Sequence, residues 1–180
     1  LLPLISDLVG RGTIVILAPR HLDRLAVIES LIKGGGMQYD RLSELKQGRH
    51  RTHPLVLVVT FGDLGELYSI GTFVFVGGSL SGSGGHNVME PAIWERVVFF
   101  GPDMADFNEA AATLENRGGG FKVNDVGELG NKISMLLRDR NRLQRVRQWA
   151  GATAREQQGA AEQQADLINK SLRQLNKVQT

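Results

Sequence analysis

The chain has 180 residues, a normal length for one domain, and 42% of them are apolar, enough to build a core. It has no cysteine, which excludes disulfides and thiolate metal sites and fits a reducing compartment. Basic residues number 21 against 19 acidic ones, a balance that does not point to nucleic acid, and no apolar run reaches the roughly 18 residues of a membrane span. The chain opens on Leu1-Leu2-Pro3 with no signal-peptide pattern and reads as a piece of something longer.

Taken in order, apolar runs alternate with helical spacing. Thr13-Ile14-Val15-Ile16-Leu17-Ala18 is short and β-branched and predicts a buried strand ending at Pro19-Arg20-His21. Leu22, Leu25, Ile28, Leu31 and Ile32 recur at helical spacing, and Gly34-Gly35-Gly36 stops that helix. Residues 37–54 are polar and predict a short strand and then a mobile loop carrying Arg49, His50, Arg51 and His53; the two histidines have no carboxylate or cysteine partner nearby, so a metal site is not expected. Leu55-Val56-Leu57-Val58-Val59-Thr60 is the next strand, followed by a helix over 63–70. Thr72-Phe73-Val74-Phe75-Val76 is a third strand, running into a glycine-serine loop, with a helix expected to start near His86.

Val97-Val98-Phe99-Phe100 is a fourth strand closed by Gly101-Pro102, and a helix over 106–116 follows, with Asp103 and Asp106 as its expected caps. Gly120-Phe121-Lys122-Val123 reads as a weak edge strand, and Asn124 or Asp125 caps a helix to about residue 137. Arg138, Arg140, Arg142, Arg145 and Arg147 read as a solvated helix face, with a membrane-surface or anionic-ligand role as the alternative, and Trp94 and Trp149 as core or helix-packing residues. Ala161, Ala165, Ile168, Leu172 and Leu175 form one apolar seam on a long final helix. The organisation expected is a nucleotide-sugar-binding domain over 1–150 and a packing helix over 151–180, with self-association wherever that seam stays uncovered.

Strand-helix-strand alternation predicts an α/β fold with a parallel sheet, whose ligands bind along the rim of strand C-terminal ends. The rim holds Arg20 and His21, Thr60 and Gly62, residues 77–87, and Gly101-Pro102. The richest signal is Gly77-Gly78-Ser79-Leu80-Ser81-Gly82-Ser83-Gly84-Gly85-His86-Asn87-Val88-Met89-Glu90-Pro91. Glycines let backbone N–H groups converge on an anion, and a helix N-terminus adds partial positive charge. Asn87 and Glu90 are spaced to share one helical face, and Glu90 can accept both hydroxyls of a vicinal diol such as a ribose. A plain flexible turn is the competing reading. The spacing misses both the dinucleotide fingerprint and the P-loop, which lacks its lysine.

Gly77-Gly78-Ser79-Leu80, Gly84-Gly85-His86-Asn87 and Glu90-Pro91 resemble the signature of 3-deoxy-D-manno-octulosonic acid (Kdo) transferases. Ala18-Pro19-Arg20-His21, Thr60-Phe61-Gly62-Asp63-Leu64, Gly101-Pro102 with Phe107, and a Gln158-Gly159-Ala160 turn agree in order and spacing. The resemblance implies a Rossmann-like parallel sheet with flanking helices, the C-terminal half of a GT-B glycosyltransferase. It implies binding of CMP-Kdo with no further cofactor and no metal. Arg20, with His21 beside it, would meet the donor's phosphate or carboxylate. Thr60 and Gly62 would lie near the nucleotide. Ser79, Gly84 and Gly85 would cradle anionic groups, and Asn87 and Glu90 would grip the ribose.

The general base and the pocket for the lipid A precursor belong to the family's N-terminal domain. No catalytic residue is therefore expected in this segment, which alone would be inactive and soluble. The full-length protein would work at the cytoplasmic face of the inner membrane. The chain departs from the family pattern at Val59 (aspartate), Asp63 (glutamate), Asp106 (asparagine) and Gly71-Thr72 (alanine-aspartate). Two other readings stand beside this one: another GT-B enzyme using a UDP-sugar, separable by nucleotide preference, and a non-catalytic nucleotide-sugar-binding domain.

Overall fold

The structure, a computed structural model, describes the backbone of residues 1–178 and the side-chain surroundings of residues 1–159. It divides into two compact units, residues 1–67 and Tyr68 onward. The expected boundary at residue 150 falls instead inside a helix that starts at Arg140.

The first unit begins with α1 (Leu2–Gly10), which sequence spacing did not reveal; Pro3 in its first turn suits a helix start, where a missing N–H costs nothing. β1 (Val15–Leu17), β2 (Tyr39–Arg41) and β3 (Leu55–Leu57) form a parallel sheet in the order β1-β3-β2. β3 is central and wholly buried. β1 lies at an edge and is half-buried rather than buried, with Ile14 just before it exposed. A 3-10 turn at Leu22–Arg24 leads into α2 (Leu25–Gly34), and Gly36 (φ +72°) turns the chain away, as the glycine triplet predicts. The loop expected after β2 is in part α3 (Leu42–Lys46). The core joins Ile5, Ile32, Met37, Leu55 and Leu57, with Val59 packed against it. An aspartate at 59 would put a carboxylate into that apolar contact.

α4 (Leu64–Ile70) spans the division between the units. In the second unit, β4 (Phe73–Phe75), β5 (Val97–Phe100) and β6 (Gly120–Lys122) pair in parallel in the order β4-β5-β6. β5 is central and buried, and β6 is the edge strand expected. Phe99 contacts Phe73 and Phe121 at centroid distances of 5.9 and 5.6 Å, linking the three strands on one face. α5 (Met89–Ile93) is a single turn beginning three residues later than expected. A 3-10 turn at Ala105–Phe107 precedes α6 (Asn108–Asn116), whose start has no side-chain cap. α7 (Val126–Arg138) is capped by Asp125, which accepts the Glu128 N–H at 2.8 Å.

α8 (Arg140–Val178) runs unbroken through residues 158–160, where a turn was expected. Its buried Ala150 and Ala154 join the core of Val88, Ala92, Val98, Phe100 and Leu114, and Val146 is buried as well. Arg147, expected in water, donates its Nε to the carbonyl of Glu95 at 3.0 Å. Glu95 itself has φ +58° and accepts Arg155 at 3.3 Å, so α8 holds a strained turn in place. Trp94 and Trp149 are not core residues: they are 45% and 47% exposed, though Trp149 lies over Gly118, where a Cβ would approach its ring to 2.9 Å. The seam of Ala161, Ala165, Ile168, Leu172 and Leu175 lies outside the residues whose side chains are described.

Candidate functional site

The glycine-rich loop leaves β4 at Val76 and folds back against the end of β5. Ser79 is fully buried, donates its hydroxyl to the Val76 carbonyl at 2.6 Å and accepts the Gly101 N–H at 2.7 Å. It therefore pins the loop to β5 and has no surface to offer a ligand. Gly84 has φ +71°, and its N–H is taken by the Asp103 carboxylate at 2.9 Å, so this amide is not open to a phosphate as the sequence reading expected. Asp103, expected as a helix cap, is thus a loop anchor. Gly85 is buried where a Cβ would lie 2.5 Å from the Met104 sulfur; its glycine answers close packing rather than anion approach.

Asn87 and Glu90 do come together, by another route than a shared helical face. Asn87 precedes α5 and accepts the Met89 N–H through Oδ1 at 3.0 Å, which leaves its amide NH2 as a donor. Glu90 lies in α5 with an exposed side chain. Both line a cleft of about 370 Å³ with Met89, Ile93, Phe107, Ala110, Ala154, Gln157 and Gln158. The lining is mainly apolar with a few polar side chains, a composition that suits a small organic ligand oriented through a few polar contacts. Burial pushes the Tyr68 phenol up to about 12, with the Glu90 charge adding to the shift, so Tyr68 stays a hydrogen-bond donor near that carboxylate. With α5 only one turn long, its dipole adds less positive charge than a full helix would.

The remaining expected residues belong to the first unit. Arg20 and His21 are exposed in the turn after β1, with His21 opening the 3-10 turn. Thr60 donates its hydroxyl to Asp63, which also accepts Lys46 Nζ at 2.5 Å; Gly62 between them has φ +92°, so this turn needs its glycine. Lys46 and then Thr60 hold the Asp63 carboxyl below its ordinary value. Sequence reading missed Lys46 and Gln157. Lys46 lies far from Asp63 along the chain, and Gln157 is polar although it stands three residues, about one turn, after the buried Ala154. Among the described residues no group of three or more metal-ligating side chains converges, and no helix is long and apolar enough to cross a membrane.

Parallel strands alternating with helices, and a glycine-rich turn at the end of a sheet strand, define a Rossmann-like α/β fold with the architecture of a GT-B C-terminal domain. The crystal structure of the C-terminal CMP-Kdo binding domain of WaaA from Acinetobacter baumannii superposes with a TM-score of 0.75 at 20% identity, covering 84% of this chain and 80% of that one. In sequence the chain is homologous to 3-deoxy-D-manno-octulosonic acid transferases. It is 34% identical to that of Aquifex aeolicus over 123 residues, 68% of this chain and 33% of the relative. It is 36% identical over 132 residues to a bifunctional glycosyltransferase/methyltransferase of Fusobacterium nucleatum, 73% of this chain and 21% of the relative. The chain thus spans a third or less of these two curated proteins. No protein-family model matches it.

Proposed function

We propose that this chain is the donor-binding domain of a glycosyltransferase that takes Kdo from CMP-Kdo and, in the full-length protein, passes it to a lipid A precursor at the membrane. The observation that carries the reading is the cleft that Asn87 and Glu90 line together with apolar side chains, in a chain homologous to transferases of that sugar. Glu90 would accept both ribose hydroxyls, Asn87 would donate beside it, and Phe107, Ile93 and Met89 would cover the less polar part of the nucleoside. Roles for Arg20, His21, Thr60 and Gly62 at the donor's anionic groups rest on the family resemblance alone. Ser79, Gly84 and Gly85 serve the site by fixing the loop that presents Asn87. The part this domain plays in displacement at the anomeric carbon is to hold the nucleotide as it leaves.

Isothermal titration should show CMP binding in preference to UDP and ADP. Equal or tighter binding of UDP would transfer the reading to a UDP-sugar enzyme. Glu90→Gln should weaken CMP binding about tenfold, the usual scale for a hydrogen bond to a charged group, with the melting temperature nearly unchanged because the side chain is exposed. A variant that melts early but binds normally per folded molecule would make Glu90 a structural residue.

A further inference from the structure

A second concavity, of about 490 Å³, belongs wholly to the first unit and shares no residue with the cleft just described. It follows β2, an edge strand of its sheet. Tyr39 and Arg41 lie on one face of β2 and line it, while Asp40 between them points the other way, as strand alternation requires. The buried Asp40 carboxylate accepts the N–H groups of Thr52 and His53, each at 2.7 Å, and the Thr52 hydroxyl at 2.9 Å. That clamp fixes the basic segment 49–53, so Arg49 and His53 line the groove from a held backbone. Lys33, in the last turn of α2, also lines it, and the buried Met37 contributes apolar surface.

The lining carries three cations, Lys33, Arg41 and Arg49, and one carboxylate, Glu44; Glu29, paired with Arg41, adds a second carboxylate beside it, so three positive charges face two negative ones. Arg41 is oriented by Glu29 at 2.6 Å and Arg49 by Glu44, so both guanidinium groups are held in place while retaining further N–H donors. His53 adds a polar group, while the Tyr39 phenol hydrogen-bonds Glu29 and Arg41 and helps to hold that pair. Oriented guanidinium groups beside an ammonium match the several acceptor oxygens and the charge of a phosphate.

We propose that this groove is a second binding site, taking a phosphoryl group either free or as a phospholipid headgroup. The test uses the whole chain, the double variant Lys33→Gln/Arg49→Gln, and a control, Arg138→Gln/Arg140→Gln, that removes the same charge from exposed positions of the other unit. In the first arm, inorganic phosphate is titrated and followed by NMR of the backbone amides of residues 33–53. In the second, binding is measured to vesicles of phosphatidylcholine with and without phosphatidylglycerol. A free-phosphate site gives saturable shifts at these amides, weakened about tenfold in the double variant. A headgroup site gives binding only to the phosphatidylglycerol vesicles, weakened about thirtyfold by loss of two cations. The control keeps wild-type binding in either arm. Binding in neither arm, or equal loss in the control, overturns the proposal. All substitutions are at exposed positions, and unchanged circular dichroism and melting separate lost binding from lost fold.

Discussion

Alanine in place of Gly101 is expected to destabilise the second unit by about 4 kcal/mol, combining ~1–3 for overpacking with ~1 for each of two buried hydrogen bonds. A Cβ at this position would lie 2.1 Å from the Ser79 carbonyl oxygen and 2.5 Å from its carbon. Both are backbone atoms, so no rotamer change relieves the contact. The loop would have to move, and it is tied at this spot. The Gly101 N–H donates to Ser79 Oγ, and the Asp103 N–H donates to the Ser79 carbonyl at 3.1 Å. Displacing Ser79 also pulls its hydroxyl off the Val76 carbonyl and moves Asp103 from Gly84, the contacts that shape the loop ahead of Asn87. Nucleotide binding should therefore fall together with stability. Urea denaturation of the two proteins measures the difference, and a change below about 1 kcal/mol would mean that the loop shifts at little cost.

The same contacts explain how far the site could be read from residues alone. The glycine-rich segment is conspicuous, but a glycine wanted for close backbone packing looks identical in sequence to one wanted for anion approach. Gly85 against Met104 and Gly101 against Ser79 are of the first kind. Ser79 is separated from Gly101 by 22 positions and Gly84 from Asp103 by 19, so neither pairing leaves a local pattern. Asn87 and Glu90 were legible as a pair because they stand three residues apart at the start of one short helix, Glu90 inside it and Asn87 before it.

The fold was more accessible. Apolar β-branched runs mark β1, β3, β4 and β5, and the buried central strands β3 and β5 contain the densest of them. What such runs do not encode is position in a sheet: β1 and β4 are edge strands of their sheets and half-buried despite sequences as apolar as their neighbours. The polar stretch 37–54 hid α3 because its one turn carries only Leu42 and Leu45. Trp94 and Trp149 read as core or helix-packing residues; Trp149 packs over Gly118, whereas the core of the second unit is completed by Ala92, Ala150 and Ala154, whose small side chains let α5 and α8 approach.

Removal of the Asp40 carboxylate is the other change with a large expected effect, about 3 kcal/mol for Asp40→Ala, because hydrogen bonds to a charged acceptor are worth roughly 1.5–3 kcal/mol each and these share one group. Burial raises the Asp40 pKa, but the His53 and Thr52 N–H groups and the Thr52 hydroxyl outweigh it and hold the folded value below the ordinary carboxylate range. The sign follows from that direction. With the folded pKa depressed, the contribution is complete above the unfolded value of about 4 and is lost as pH falls through the folded value. Wild-type stability should therefore drop below about pH 4 more steeply than that of Asp40→Ala, and the two should converge as the medium becomes more acid. Asp40→Asn can place its amide oxygen where Oδ2 accepts the Thr52 and His53 N–H groups and turn its NH2 to the Thr52 hydroxyl, so it should fall between alanine and wild type at pH 7 and lose the pH dependence. Denaturant midpoints from pH 7 down to pH 3 check this, and parallel curves for wild type and Asp40→Ala would show that the clamp does not depend on the charge. Because Asp40 holds the segment that carries Arg49 and His53, the same substitution should weaken phosphate or vesicle binding at pH 7.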